Sequence, residues 1–254
     1  MLIDVNCWLG SWPFQRFAAG TAPALARRLQ AEGIDLALVS PAEGILRPDP
    51  QDDNEALFRA VARTPALRPV PVLNPSLPGW PEQLRRWAAR RIPAVRVLPN
   101  YHLYDLDGPA AAALAAALVE LDLPLLVQLR VEDERSQHPL LRVAGVPVET
   151  VLAYAQRHPA LRLACLCPYF GEAVALATGA ANVWVDLAFA ETLDTVVSLL
   201  ARVPAERLLF GSHTPFLYPR AACAKLERAG LPPDAMEALR SGNARRLLGE
   251  LLRR

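Results

Sequence analysis

Lysine is almost missing from this chain. Lys+Arg is 27, yet Lys225 is the one lysine, and Asp+Glu at 26 leaves a formal charge of only +1. So small a net charge gives no electrostatic case for nucleic acid or for an anionic membrane surface. Cysteine is sparse too: Cys7, Cys165, Cys167 and Cys223, none in a C-x-x-C pattern. A chain of 254 residues needs no disulfide staples, so reduced thiols and a cytoplasmic location are expected. The longest apolar run, Ala110 to Val119, falls far short of a membrane span. The first residues carry no charged segment or cleavage site, so no signal peptide is expected. No G-x-G-x-x-G or Walker pattern follows an apolar run, which argues against nucleotide binding.

What is present is apolar and regular. Hydrophobic residues make up 52% of the chain, and 24 prolines fall mostly between apolar runs. Eight short runs read as buried strands: 2–6, 34–40, 67–73, 94–98, 124–129, 161–166, 182–186 and 208–210. They are continuously hydrophobic, as expected for strands buried on both faces. Helical patterns separate them, at 21–33, 52–63, 81–91, 109–121, 147–158, 169–179 and 192–202, and two more close the chain at 220–230 and 233–252. Regular β-α alternation implies a parallel sheet, and eight units in ~250 residues favour a closed barrel. The expectation is an α/β chain forming one (β/α)₈ TIM barrel over residues 1–254.

Two stretches end strands on polar clusters, which is how a barrel presents functional groups. One is Ile3-Asp-Val-Asn-Cys-Trp-Leu-Gly10, and the other is Arg207-Leu-Leu-Phe-Gly-Ser-His-Thr-Pro215. With Gly242-Asn-Ala-Arg-Arg-Leu-Leu248 and the strand from Pro159 to Cys167, the chain resembles the amidohydrolase superfamily in its amidohydrolase-2 branch. The resemblance implies a metal-dependent hydrolase or decarboxylase. In that branch, histidines and one aspartate at strand ends hold a divalent metal. Those positions correspond here to Asn6 and Trp8 on strand one, Gln128 on strand five, Cys167 on strand six and His213 on strand eight. Amides are poor transition-metal ligands and an indole is none. The cofactor expectation is therefore none, with a Cys167–His213 zinc site as the alternative.

Several residues can carry chemistry. His213, with an ordinary pKa near 6.5, is a candidate general base or acid, and Asp186 a candidate to orient it. Cys167 is a candidate nucleophile, against the usual inertness of a buried thiol. Asn6, Gln128, Trp8, Arg96, Arg130 and His102 are candidates to bind substrate, the arginines by gripping a carboxylate. For Arg130 the competing reading is an ion pair with Glu132, Asp133 or Glu134. Trp12 and Phe14 are read as pocket walls, and His102 with Tyr101 and Tyr104 as a lid. Cys165 and Cys167 should share a strand face unless the strand ends between them. The resulting expectation is a hydrolase acting on a small, carboxylate-bearing molecule without the usual metal. The alternatives are an inactive barrel that binds a ligand or partner, and an unusual Cys/His metal site. The resemblance also implies a possible homodimer.

Overall fold

The computed structural model describes residues 1–249. Strand and helix alternate through β1 (Ile3–Leu9), α1 (Ala22–Ala31), β2 (Leu36–Pro41), α2 (Gln51–Val61), β3 (Leu67–Pro69), α3 (Trp80–Ala89), β4 (Val95–Val97) and α4 (Pro109–Glu120). The order continues with β5 (Leu125–Gln128), α5 (Val148–Arg157), β6 (Leu163–Leu166), α6 (Phe170–Gly179), β7 (Val183–Asp186), α7 (Thr195–Leu200), β8 (Leu208–Leu209) and α8 (Pro219–Glu227). This is an α/β TIM barrel. Two parallel ladders, β1-β2-β3 and β4 through β8, make up its wall. Main-chain hydrogen bonds close the two seams between them. At one seam Val5 N–H donates to Phe210 O at 3.0 Å and Trp8 N–H to Thr214 O at 2.8 Å. At the other, Arg96 N–H donates to Pro71 O and Leu73 N–H to Arg96 O, both at 2.9 Å. The second seam is thin because Pro69 and Pro71 have no N–H to give. For the same reason β3 stops at Pro69 instead of running to Leu73.

Alternation along the strands sorts the core into two layers. Ile3, Val5, Leu38, Val70, Leu126 and Leu209 fill the barrel interior. Val95, Val97, Leu125, Val127, Leu163 and Val185 pack outward with the helices. The bottom of the barrel is plugged by Ala244, Leu247 and Leu248. These side chains come from the chain's final stretch, which is not the continuous helix expected from 233 to 252. It runs as α9 (Pro233–Glu237), a wide π turn (Ala238–Gly242) and α10 (Asn243–Leu248). Asn243 follows the wide turn, and its Nδ2 donates to Ala205 O and Leu208 O at 2.7 Å each, tying α10 to β8. Residues 250–252 of the expected helix lie outside the described residues. Helix α7 also starts later than the expected 192, since Asp194 ahead of it is left-handed (φ 51).

Leu247 is fully buried at the foot of the barrel. Leu247→Ala should lower stability by about 2–5 kcal/mol, the usual cost of such a cavity. An unfolding free energy, measured by denaturant titration, that falls by less than ~0.5 kcal/mol would show that α10 is not a true plug.

Candidate active site

The polar side chains of the barrel mouth arrive there by three routes. Arg96 follows Ala94 on the inner face of β4, Gln128 follows Leu126 on β5, and Asp186 follows Trp184 on β7. Simple alternation is enough for these. On β1 the register against β2 shifts between Asp4 and Cys7. Ile3 and Val5 face inward below the shift, and Asn6 and Trp8 reach the mouth above it. Such an irregularity re-aims side chains next to functional sites. The last two residues, Cys167 and His213, have left-handed backbones, with φ 59 and 56. That region is unusual for residues other than glycine. It explains why Cys165 packs outward while Cys167 meets Asn6 and Gln128. Gly211 precedes His213 by two residues, and a Cβ there would collide with the Asp186 carboxylate.

These residues form one dry network, each with essentially no exposure to solvent. Asp186 accepts from Asn6 Nδ2 at 2.7 Å and from the Cys167 N–H at 2.8 Å. The Cys167 thiol accepts from Asn6 Nδ2 at 3.2 Å and Gln128 Nε2 at 3.1 Å. Arg96 donates through Nη1 to Asn6 Oδ1 at 3.3 Å, and its guanidinium lies 4.2 Å from the centre of the Trp8 ring. Its Nε has no partner, and it forms no salt bridge among the described residues. Trp8 Nε1 donates to His213 Nδ1 at 3.2 Å, which leaves Nε2 to carry the proton to Val131 O at 2.7 Å. Asp4 supports the arrangement from below, accepting the Asn6 and Ser212 N–H groups at 3.0 Å each.

Burial sets the protonation of the network. It lowers His213 to a pKa of about 3, outweighing the Val131 bond, with Arg96 adding to the drop. It raises Asp186 to about 6, against the pull of its hydrogen bonds, and lowers Arg96 to about 10. Cys167 is pushed well above the ordinary thiol range, first by burial and then by Asp186. At neutral pH the floor therefore holds a neutral imidazole, a protonated thiol and a buried guanidinium.

The open space lies above this floor. A cavity of about 510 Å³ is lined by Tyr169, Phe170, Phe189, Phe216, Glu132 and Arg135, among others. Phe216 stacks on His213 at 4.9 Å, and Phe189 meets the same ring edge-on at 5.5 Å. These two rings separate the imidazole from the cavity. Lys225 holds one wall in place. Its ammonium donates to Leu187 O, Ala188 O and Ala190 O at 2.9, 3.3 and 3.1 Å and pairs with Glu191 at 2.7 Å.

The structure places the expected site residues as follows. His213 has both ring nitrogens engaged, so no lone pair is free for general base work. Asp186 does not orient it, since its oxygens serve Asn6 and Cys167. Cys167 is protonated and sealed, so it is not set up as a nucleophile. Arg96 and Gln128 lie beneath the floor with Asn6 and Trp8, where no substrate in the cavity reaches them. Arg130 does not pair with its neighbours in sequence. It pairs with Glu172 of α6 at 2.6 and 2.7 Å, donates to Cys167 O at 2.7 Å and stacks 3.9 Å from the centre of the Tyr169 ring. His102 faces Gly44 O at 3.0 Å instead of lidding the cavity. Trp12 backs Phe216 at 5.3 Å, and Phe14 stacks on His138 at 4.8 Å. Sequence reasoning missed the cavity itself. Phe189 and Phe216 gave no signal beyond standing just past strands seven and eight, and Glu132 entered only as a possible partner for Arg130.

The family follows from comparison with known proteins. The amidohydrolase family model (Amidohydro_2) matches residues 42–249, and this chain belongs to that family. A search of the curated proteins finds no match. Solved structures share the fold. The 5-carboxyvanillate decarboxylase of Sphingomonas paucimobilis is 14% identical with a TM-score of 0.74, covering 97% of this chain and 98% of that one. A 2,6-dihydroxybenzoate decarboxylase in complex with 2,6-dihydroxybenzoate is 15% identical at a TM-score of 0.74, with the same coverage. The 4-oxalomesaconate hydratase of Rhodopseudomonas palustris is 16% identical at 0.72, covering 99% and 96%.

A family metal does not fit the donors present. Asn6 and Gln128 offer amides, Trp8 an indole N–H that can only donate, and Cys167 a thiol kept protonated by burial. Among the described residues, no three His, Cys, Asp or Glu side chains converge as a metal site.

Two outcomes follow. A histidine with a depressed folded pKa contributes stability that is present above pH 6.5 and lost as pH falls toward 3. Asp186, raised to about 6, acts in the opposite sense between about pH 6 and 4. Acidification from pH 6.5 should therefore destabilise the wild type by at most ~1.4 kcal/mol per unit through His213, and His213→Gln should flatten that loss. An unchanged slope in the variant would show that His213 is not buried neutral. Lys225→Met should cost about 1–3 kcal/mol by orphaning three carbonyls. It should also speed amide exchange selectively at residues 187–191, and exchange that rises evenly over the barrel would count against a local clip.

Proposed function

We propose that this amidohydrolase-family barrel binds a small organic molecule in the cavity above a closed floor, and that the floor shapes the cavity without carrying out metal-assisted hydrolysis. One observation carries the reading: Asn6, Trp8, Gln128, Cys167 and His213, which the resemblance to the family aligns with its metal-holding positions, are all fully buried and bonded into one network. The cavity volume of about 510 Å³ suits a single small ligand, and its walls mix aromatic rings with a few polar groups. Four free, buried thiols are compatible with a reducing cytoplasm. A homodimer is suggested by the family alone.

A second reading has its own support. Two of the solved relatives are named as decarboxylases of aromatic acids. By that analogy this chain is an enzyme acting on a carboxylate-bearing substrate, with His213 as base or acid and no metal. It requires Phe189 and Phe216 to swing clear of the imidazole and His213 to exchange one of its two partners.

Metal analysis and ligand screening separate these readings. Protein purified with zinc or manganese present should hold far less than one equivalent of either ion. A panel of small aromatic compounds should include members that raise the melting temperature. Stoichiometric metal would overturn the closed floor as described. Turnover of esters, lactones or acids that disappears in His213→Ala would establish the enzymatic reading instead.

A further inference from the structure

The cavity's charges bear on what it binds, and the inference drawn from them rests on the binding reading above. Three carboxylates line it, on Glu132, Asp133 and Glu191, against one cation, Arg135. Two of the three are already answered. Asp133 accepts from Arg135 at 2.9 and 2.8 Å, and Glu191 pairs with Lys225 at 2.7 Å. Glu132 forms no salt bridge among the described residues and is half-buried. The arginines that could have met an anion are committed elsewhere, Arg130 to Glu172 and Arg96 beneath the floor. Tyr169, Phe170, Phe189 and Phe216 supply an aromatic part of the remaining wall, beside Gln15 and Ser136.

A half-buried carboxylate without a counter-ion beside several aromatic rings suits an ammonium group. The carboxylate supplies a charge-assisted hydrogen bond, and ring faces attract a cation through their quadrupole. The same wall disfavours an anion, since its one cation, Arg135, is already paired with Asp133. The residue is also held firmly: the Val131 carbonyl next to it is bonded to His213 Nε2 at 2.7 Å, which ties the Glu132 loop to the barrel floor. Burial already raises the Glu132 carboxyl above its ordinary value, with Trp12 and His138 opposing the rise.

We propose that the cavity is a site for a primary or secondary amine carried on an aromatic body, with Glu132 as the anchor of its ammonium group. The aromatic part lies against Phe189 and Phe216. Nothing covalent is involved, and the amine is bound as the cation.

Calorimetric titration of the full chain with three probes of matched size tests this: benzylamine, benzyl alcohol and benzoate. Benzylamine should bind most tightly and benzoate least. Glu132→Gln should weaken benzylamine about tenfold or more, the worth of one charge-assisted hydrogen bond, and leave benzyl alcohol within about twofold. Glu132→Asp, which keeps the charge, should recover part of the loss. Circular dichroism of each variant checks the fold. Benzoate binding at least as tightly as benzylamine, or Glu132→Gln leaving benzylamine unaffected, would overturn the amine assignment while leaving the binding reading in place. Failure of all three probes, and of the wider panel, to bind would remove the binding reading with it.

Discussion

Arg96 carries its charge where no water reaches, and the mouth of the barrel is arranged around that fact. Removing a guanidinium from water is expensive unless neighbours replace the lost hydration. Here the replacement is distributed. Asn6 accepts one hydrogen bond, the Trp8 face takes the cation, and Asp4 and Asp186 answer it at longer range. Each of those groups is then committed. Asn6, having given its oxygen to Arg96, gives its amide hydrogens to Asp186 and Cys167. Trp8, lying over Arg96, directs its N–H at His213. One buried cation thus fixes the orientation of side chains drawn from four other strands or strand ends.

A guanidinium at the centre of the mouth asks for different neighbours from those of a metal ion. A divalent ion needs several anionic or imidazole donors around a shared point. A guanidinium at the centre needs acceptors and a ring face instead. Amides and an indole meet the second requirement and fail the first. Phe189 and Phe216 cover a network in which most donors and acceptors are matched, Arg96 Nε and Gln128 Oε1 being the two polar atoms of the floor without a partner.

Much of the fold was legible in the sequence, and less of the site. Eight apolar runs with helical patterns between them specify a barrel because strands buried on both faces have nowhere to place polar residues. Pro69 and Pro71 shortened β3 in a way that hydrophobicity alone does not reveal. The meeting of Asn6, Gln128, Cys167 and His213 follows from their positions at strand ends. Their inaccessibility does not, because it depends on loops packing over them. The partner of Arg130 was invisible for a related reason: Glu172 lies 42 residues away and is brought near by α6. The left-handed backbones at Cys167 and His213 had no local signal such as glycine, so the direction of those side chains could not be read.

The single lysine has a consequence for chemistry done on the protein. Its side chain is only 11% exposed and is held by three carbonyls and Glu191. An acylating reagent aimed at lysine side chains therefore finds one target, and only when the segment from Leu187 to Glu191 lets go. The rate of that labelling becomes a clock for the wall of the cavity, and no engineered probe has to be introduced to read it.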